Sequence, residues 1–403
     1  MKLESTKISF LRPATQRLLI ALACVVCPAF VVRIGIAHEP ITTKIMFNRE
    51  VVRVLQENCL GCHRPEGIAP MSLATYENAR PWAKAIKEEL LEKRMPPWYA
   101  VKGFGQFRNG PDLTQRDIDV IVNWVEGGAP KGDEKDLPEA PLYSDEWPLG
   151  RPDLVLQAGS HEVASDADER CVITVPTSLK EDRFIRAIDL RPSARSVVHS
   201  ATLYIEKSGN ERDRDKQDGL AADNLLGTWM PGQRRVLLYE GYGQLIPAGS
   251  RIKLDVHYRG SGDALKDSSQ IGLYFSKTPP SKRVLSVAPV IETNHGNKIK
   301  ASLTLPVDAE AVGAIPTGYA AVDSLEATAY RPDGTTEVLI WMRPNKDGWQ
   351  TTYYYKHPVI LPRGTRIEIT CYVGDSDSES KTSEDPLWTS HHLCELLLAI
   401  QQK

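Results

Sequence analysis

Residues 58–63, Asn58-Cys59-Leu60-Gly61-Cys62-His63, decide how the first third of the chain is read. Two cysteines separated by two residues, with a histidine directly after, have the spacing at which both thiols add to the vinyl groups of one haem. The neighbouring imidazole then takes one axial position on the iron. A solvent-exposed Cys-x-x-Cys with an incidental histidine is the competing reading, so the flanking sequence has to decide. Upstream, Asn48 is placed to cap a helix running to about Asn58, with Val51 and Leu55 on one face, which delivers the chain to Cys59. Downstream, Arg64 to Pro70 is a loop containing glycine and proline. A second helix is expected from near Arg80 to Lys93, with Ala79, Ala83, Ile86 and Leu90 as its stripe and Pro81 in its first turn. A third is expected between Leu113 and Gly127. Thr114 and Asp117 form a capping-box-like pair there, Ile118, Ile121, Val122 and Val125 recur at helical spacing, and Gly127-Gly128 with Pro130 closes it.

Between the second and third helices stands Arg94-Met95-Pro96-Pro97-Trp98, where the prolines stop the helix and stiffen the adjoining segment. Met95 lies 32 residues after His63, enough chain to reach the opposite side of the iron; Met71, eight residues after His63, has difficulty circling the haem plane. Packing roles for both methionines are the alternative. A helix before the Cys-x-x-Cys-His and another at the end resemble a small class I cytochrome c over residues 45–135. The resemblance implies a covalent haem c on Cys59 and Cys62, with His63 and Met95 as axial ligands. With both axial positions filled no site is open for oxygen or substrate, so an electron carrier is expected.

The 403 residues suggest two or three domains, and 41% hydrophobic with 25% charged residues is an ordinary soluble balance. Residues 1–37 stand apart. Lys2, Lys7, Arg12 and Arg17 precede the apolar run Leu18 to Val32, and small residues around Gly35-Ile36-Ala37 offer a cleavage site. This reads as a secretory signal peptide, the run being short for a span of about 20 residues. An uncleaved anchor is the alternative; Cys24 follows a poor lipobox in Ala21-Leu22-Ala23. Removing this segment, with five basic residues and one acidic one, takes the net charge from −3 to −7. A mildly acidic exported protein has no electrostatic case for nucleic acid. The expected location is the periplasm or another exported compartment, and the expected partner is a redox protein or a small electron donor or acceptor.

Residues 136–152, with several prolines and charges, read as a linker. Beyond them come short alternating runs such as Val197 to Ile205, Ile252 to Tyr258 and Arg366 to Val373. Turn signals stand at Pro247-Ala248-Gly249, Pro332-Asp333-Gly334 and Pro362-Arg363-Gly364. No helical periodicity is sustained, so antiparallel β-sandwiches are expected, divided near 280–290 into residues 153–282 and 283–403. Asp166, Asp168 and Glu169 read as a solvated turn, and Tyr353-Tyr354-Tyr355 as a strand alternating between core and surface.

Several landmarks carry a second resemblance. Asp182-Arg183-Phe184-Ile185-Arg186-Ala187 leads to Val197-Val198-His199; Met230-Pro231-Gly232 leads to Pro247-Ala248-Gly249-Ser250 and Val256-His257-Tyr258. Further along stand Trp349-Gln350-Thr351-Thr352-Tyr353, Leu361-Pro362-Arg363-Gly364-Thr365 and Leu393-Cys394-Glu395-Leu396. The pattern resembles the copper type II, ascorbate-dependent monooxygenases (the peptidylglycine- and dopamine-hydroxylating enzymes), and among them bacterial proteins that fuse such a module to a cytochrome c. It implies two jelly-roll-like sandwiches side by side, one copper on each. The first copper's His-His pair is His199-Ser200 here, and its third histidine matches His257. The second copper's His-x-His falls in Ile315-Pro316-Thr317-Gly318-Tyr319-Ala320, which has no histidine, and its methionine position is Leu393. Thr, Tyr and Leu do not replace imidazole and thioether donors, so a residual copper at His199 and His257 is possible but not expected, and His391-His392 is a remote substitute donor. The resemblance also implies a Cys371–Cys394 disulfide, a loop closure contributing roughly 3 kcal/mol, which leaves Cys171 as an unpaired, buried thiol.

The fold class expected is therefore multidomain, α plus all-β: a small helical cytochrome c domain followed by two antiparallel jelly-roll-like β-sandwiches. The function expected is exported haem electron transfer, with the β module serving docking or ligand binding. A divergent copper monooxygenase reduced by its tethered haem is the alternative.

Overall fold

The structure is a computed structural model describing residues 41–141, 147–206, 216–217, 220–221, 224–295, 297–316, 322–343, 349–373 and 394–401. The signal-peptide reading of 1–37, the His391-His392 pair, Leu393 and the stretch 317–320 lie outside the described residues. Among those described, no helix is long and apolar enough to cross a membrane.

Helices occur only before residue 137 among the described residues. The first is a π turn, Phe47–Val51, running into an α-helix, Val52–Asn58. Asn48 is not its cap: the helix starts one residue earlier, and Asn48 is buried with its amide donating to the Asp133 carbonyl at 3.1 Å. Glu50 instead accepts from the Met46 backbone N–H at 2.9 Å, so a carboxylate inside the first turn satisfies the donor that a cap would have served. The second helical stretch starts earlier than its stripe suggests. Thr75 accepts from Asn78 N and caps Tyr76–Ala79; a 3₁₀ turn at Arg80–Trp82 absorbs Pro81, and Ala83–Leu91 comes after it. Proline has no N–H to give the preceding turn, which accounts for the tightened geometry there. Gln115–Glu126 carries the expected capping box between Thr114 and Asp117. These helices close on Phe47, Leu55, Leu90, Ile121 and Trp124, and Trp124 Nε1–H donates to the Pro130 carbonyl at 3.0 Å.

From Leu154 onward the chain is β. One eight-stranded sheet runs through both halves. Its first four strands are Leu154–Gln157, Gln270–Phe275, Arg183–Arg191 and Tyr242–Ile246; the other four are Lys282–Val287, Cys394–Gln401, Ala309–Pro316 and Tyr353–Leu361. The two groups of strands join where Lys282–Val287 pairs parallel to Tyr242–Ile246, two residues past Pro280. A four-stranded sheet (Asp168–Pro176, Arg251–Arg259, Val198–Glu206, Leu225–Trp229) packs on the first half. A five-stranded sheet containing Lys298–Thr304, Arg366–Val373, Val322–Tyr330 and Thr336–Met342 packs on the second.

Strand alternation explains both cores. In Arg251–Arg259 the even residues Ile252, Leu254, Val256 and Tyr258 are wholly buried between the sheets. In Cys394–Gln401, Leu396, Leu398 and Ile400 face the second core, whereas Leu397 and Ala399 face Leu225 and Leu238 on the reverse side. That strand is buried on both faces, so its sequence is continuously apolar rather than alternating. Each such side chain contributes about 1.5–3 kcal/mol. Tyr353-Tyr354-Tyr355 alternates as expected, but the second face is not open surface: Tyr353 and Tyr355 enter the second core and Tyr354 joins the reverse-face cluster.

The segment between the second and third helices leaves the helical unit. Tyr99 and Ala100 belong to the second sandwich's core, Ala100 bridges Met342, and Phe107 bridges Tyr355. Asn109, buried, donates to Thr352 O at 2.7 Å and accepts from Tyr354 N at 2.9 Å. Trp98 packs on Tyr353 with ring centroids 4.6 Å apart. The helical unit and the second sandwich are thus sewn together by a segment, Trp98 to Gly110, that lies inside the 45–135 unit expected from sequence.

Candidate functional site

Cys59 and His63 are set by the end of the first helix. Cys59 N–H donates to Leu55 O at 2.9 Å, and His63 N–H to Cys59 O at 2.9 Å, so the five-residue motif makes one more turn. The loop after it folds back: Leu73 N–H donates to His63 O at 2.8 Å. Gly67 permits this, since a Cβ there would lie 2.2 Å from the Cys62 carbonyl oxygen. The His63 Nδ1 sits 3.2 Å from the Met71 carbonyl. With that nitrogen donating, Nε2 is the one left to act as a ligand, the usual arrangement behind a metal-bound imidazole. Burial lowers the His63 pKa, partly opposed by this hydrogen bond, so the ring is held neutral. The two thiols lie close enough to influence each other. Burial pushes Cys59 up to about 12 and Cys62 up to about 11, Cys62 being restrained by Arg64 and Arg235. These are unionised sulfurs rather than reactive thiolates. Two thiols and a neutral imidazole in this order form a donor set that can hold a covalent haem.

The motif does not face open solvent alone. Gly232 of the first sandwich, at φ +70°, lies against it: a Cβ there would stand 3.0 Å from Cys62 Sγ. Arg235 holds that turn. Its Nε meets Asp189 Oδ1 at 2.6 Å, and its guanidinium donates to the Met230 carbonyl at 3.1 Å. Met95 is half-buried in a loop flanked on both sides by one residue. Arg343 donates to Lys93 O at 3.2 Å and to Trp98 O at 3.0 Å. Met71 packs by its side chain on the helical core and by its carbonyl on His63.

His199 and His257 do come together. Their strands are neighbours, a bulge sits between His257 and Tyr258, and the ring centroids are 4.8 Å apart. His199 is 2% exposed, and neither ring nitrogen has a hydrogen-bond partner among the described residues. Trp349 from the second half stacks on it at 3.8 Å. Gln350 and Thr352, just beyond Trp349, reach the same sheet, Gln350 accepting from Thr202 at 2.9 Å and Thr352 meeting Thr228 at 3.1 Å. His257 Nε2 is engaged by Asp168 Oδ1 at 2.6 Å. Asp168 and Glu169 therefore do not form a solvated turn: they start a strand, and Glu169 meets His161 at 3.0 Å. Strand pairing puts Asp168 opposite Arg259 and beside His257, a relation across 89 residues that no local pattern reveals. Among the described residues no group of three or more His, Cys, Asp or Glu is arranged to hold a metal.

Burial, together with the positive charge of Arg259, pushes His199 down to about 3, and burial lowers His257 despite Asp168. Both rings are neutral in the fold but protonate near pH 6.5 once unfolded. The unfolded state then binds more protons below that pH, so stability falls as pH drops from about 6.5 toward 3 on account of His199, by up to ~1.4 kcal/mol per pH unit, and His257 adds to the fall in the same direction. His199→Gln is expected to remove about one proton's worth of that slope. Urea-unfolding free energies measured from pH 6.5 to 4 check this; an unchanged slope contradicts it.

Cys371 and Cys394 lie wholly buried in one core cluster as thiols, with no bond between them, and burial raises both pKa values. Cys171 is half-buried on Asp168–Pro176, short of the full burial expected: it faces the first core with Ile173 and Val175, but its strand is the edge of the four-stranded sheet.

The chain matches no family model and no curated protein. Solved structures with some similarity include an allantoicase at 10% identity, TM-score 0.15, over 51% of this chain and 74% of that one. The allantoicase of Saccharomyces cerevisiae aligns at 8% identity, TM-score 0.17, over 58% and 79%. The tandem CBM22 domains of Paenibacillus barcinonensis Xyn10C align at 10% identity, TM-score 0.16, over 61% and 91%. Likeness this slight carries no argument about fold or activity.

Proposed function

We propose that this chain is an exported c-type haem protein that exchanges single electrons with a partner, and that its β-sandwiches serve docking or ligand binding. The observation that carries the reading is the His63 Nδ1 contact with the Met71 carbonyl, 3.2 Å, beside the paired thiols of Cys59 and Cys62. It orients the imidazole with Nε2 available, which an incidental histidine has no need of. A haem bound there supplies a one-electron couple. Cys59 and Cys62 would hold it covalently and His63 would supply a nitrogen donor to its iron, while the Gly67 turn keeps the loop tight over Cys62. Met95 is proposed as the second axial donor. Its loop is tethered at both flanks by Arg343, whereas the Met71 backbone is committed to the His63 side.

Met95→Ala is expected to abolish the thioether-to-iron spectral signature and lower the reduction potential; Met71→Ala is expected to keep both. Absorption and circular dichroism spectra of the oxidised and reduced protein check this. A signature that survives in Met95→Ala and disappears in Met71→Ala overturns the assignment.

A second reading, a copper-dependent monooxygenase reduced by the tethered haem, is favoured by one observation. His199, with both ring nitrogens unpartnered among the described residues, lies beside His257, on a strand paired with the one that ends at Trp229. Two features weigh against it: Trp349 covers His199, and Asp168 occupies His257 Nε2. Two imidazoles without a third strong donor make a poor copper site.

A further inference from the structure

The outer face of the five-stranded sheet leaves large aromatic rings exposed. Strand alternation sets which ones. Leu325, Ala327 and Ala329 on one strand, and Ile367, Ile369 and Cys371 on the next, point into the second core, so Glu326, Tyr330, Thr370 and Tyr372 point outward. Trp341, on the neighbouring edge strand, stands opposite Glu326 and joins them. Trp341 is 37% exposed and Tyr372 41%. Glu326 has Trp341 as its partner on one side and Thr370 on the other, and Tyr372 follows Thr370 by two residues. The two rings therefore stand two strands and one pair of residues apart, about 12 Å at the backbone, with Glu326 and Thr370 between them.

These groups are held in place. Phe104, from the segment between the second and third helices, meets Trp341 edge-on with ring centroids 4.8 Å apart, and Val101 N–H donates to the Trp341 carbonyl at 2.8 Å. Lys298 Nζ lies 5.2 Å from the Tyr372 ring centroid. Thr328 Oγ donates to Glu326 Oε1 at 2.7 Å. Aromatic side chains fixed in this way offer rigid, amphipathic area at a low cost in conformational entropy.

Charge and polarity select the occupant. On this face Lys298, Lys300 and Arg366 are matched by Glu292, Glu326 and Glu368, and Arg366 pairs with Glu368 at 2.9 Å and Glu292 at 3.6 Å. A balanced face has no field to gather a polyanion or a polycation. The carboxylate and hydroxyl between the rings break up the apolar area, and an acyl chain or an apolar protein surface would bury them without partners. A sugar chain meets both demands: its C–H faces stack on aromatic rings, and its hydroxyls donate to a carboxylate and pair with a threonine.

We propose that the outer face of the five-stranded sheet binds a neutral polysaccharide, with Trp341 and Tyr372 stacking on two sugar rings of one chain and Glu326 accepting from hydroxyls between them. This rests on the reading of the β module as a ligand binder and names the ligand's class. Tyr330, exposed four residues beyond Glu326 on the same strand and face, extends the platform along the strand.

The test is native affinity electrophoresis of the full, mature chain through gels containing hydroxyethylcellulose, xylan or galactomannan, with polygalacturonate as the acidic control. Retardation by at least one neutral polymer, rising to saturation with its concentration, is expected. Trp341→Ala and Tyr372→Ala are each expected to weaken it about ten-fold or more. Trp82→Ala removes an exposed ring on the helical unit and is expected to bind like the parent. Thermal melting shows whether each variant is folded. No retardation by any of the three neutral polymers, stronger retardation by polygalacturonate, or a Trp341→Ala/Tyr372→Ala chain that binds as tightly as the parent overturns the site. Co-sedimentation with phosphatidylcholine vesicles in place of polysaccharide binding, lost in Trp341→Ala, also overturns it. Haem content is read on the same samples. A parent that is retarded but carries no haem supports the platform and fails the haem reading alone; one that carries haem and is not retarded fails the platform alone.

Discussion

A chain with both Cys59 and Cys62 changed to serine is expected to emerge from a cytochrome-maturing, exporting host with no covalent haem, a complete loss rather than a graded one. Each thioether needs a sulfur at the vinyl edge, and the fold offers no substitute. Cys171 sits on a sandwich strand, and Cys371 and Cys394 are wholly buried in the second core. The loss is not a folding failure, because the turn is held by the backbone bonds of Cys59, His63 and Leu73 and by Leu60, 1% exposed, all of which serine leaves in place. Single substitutions retain one thioether. Haem staining after denaturation, with mass spectrometry of the intact chain, reads the result, and far-ultraviolet circular dichroism verifies the fold. Haem still covalently held in the double variant contradicts the assignment.

Asp267→Ala is expected to destabilise the first sandwich by about 3–5 kcal/mol. Asp267 is 1% exposed, and its carboxylate collects several donors. Oδ1 accepts from the backbone N–H of Ser193 at 3.0 Å and of Ala194 at 3.1 Å; Oδ2 accepts from Tyr258 OH at 3.0 Å and Ser269 Oγ at 2.8 Å. Alanine leaves the buried Tyr258 and Ser269 hydroxyls unserved, releases the Ser193-Ala194 backbone, and frees the Tyr258 ring, which stacks on His161 and adjoins His257. Asp267→Asn, which keeps one acceptor oxygen, is expected to cost about half as much. Urea unfolding monitored by tryptophan fluorescence measures both. A loss below about 1 kcal/mol for Asp267→Ala contradicts this account of the network.

Local features are legible in the sequence and distant ones are not, for physical reasons. The capping box at Thr114 and the Pro-x-Gly turns are set by a few adjacent residues, and they stand where periodicity and turn chemistry put them: Gly249, Gly334 and Gly364 all have positive φ. That one sheet runs through both β halves is not legible, because the parallel pairing of Lys282 with Tyr242 joins strands about forty residues apart with Arg251–Arg259 and Gln270–Phe275 between them, a relation that no local pattern records. Sequence proximity groups the strap from Trp98 to Gly110 with the helices, yet it buries Tyr99 and Ala100 in the second core. At the candidate sites, Cys59, Cys62 and His63 are visible as a motif and His199 with His257 by resemblance. Asp168, Trp349, Gly232 and Arg235 are not, since each acts on residues far away along the chain, 89 of them in the case of Asp168 and His257. Asn48 misleads because a cap residue and a buried amide donor look alike in sequence: only the distant Asp133 carbonyl distinguishes them.

The central claim is that the haem held by Cys59, Cys62 and His63 is the sole redox metal centre of this protein. Metal analysis of the purified, mature chain after copper loading and dialysis tests it most directly. One iron per chain, covalently retained, and no bound copper is the predicted result. Near-stoichiometric, tightly held copper that disappears in the His199→Ala/His257→Ala double variant would contradict it.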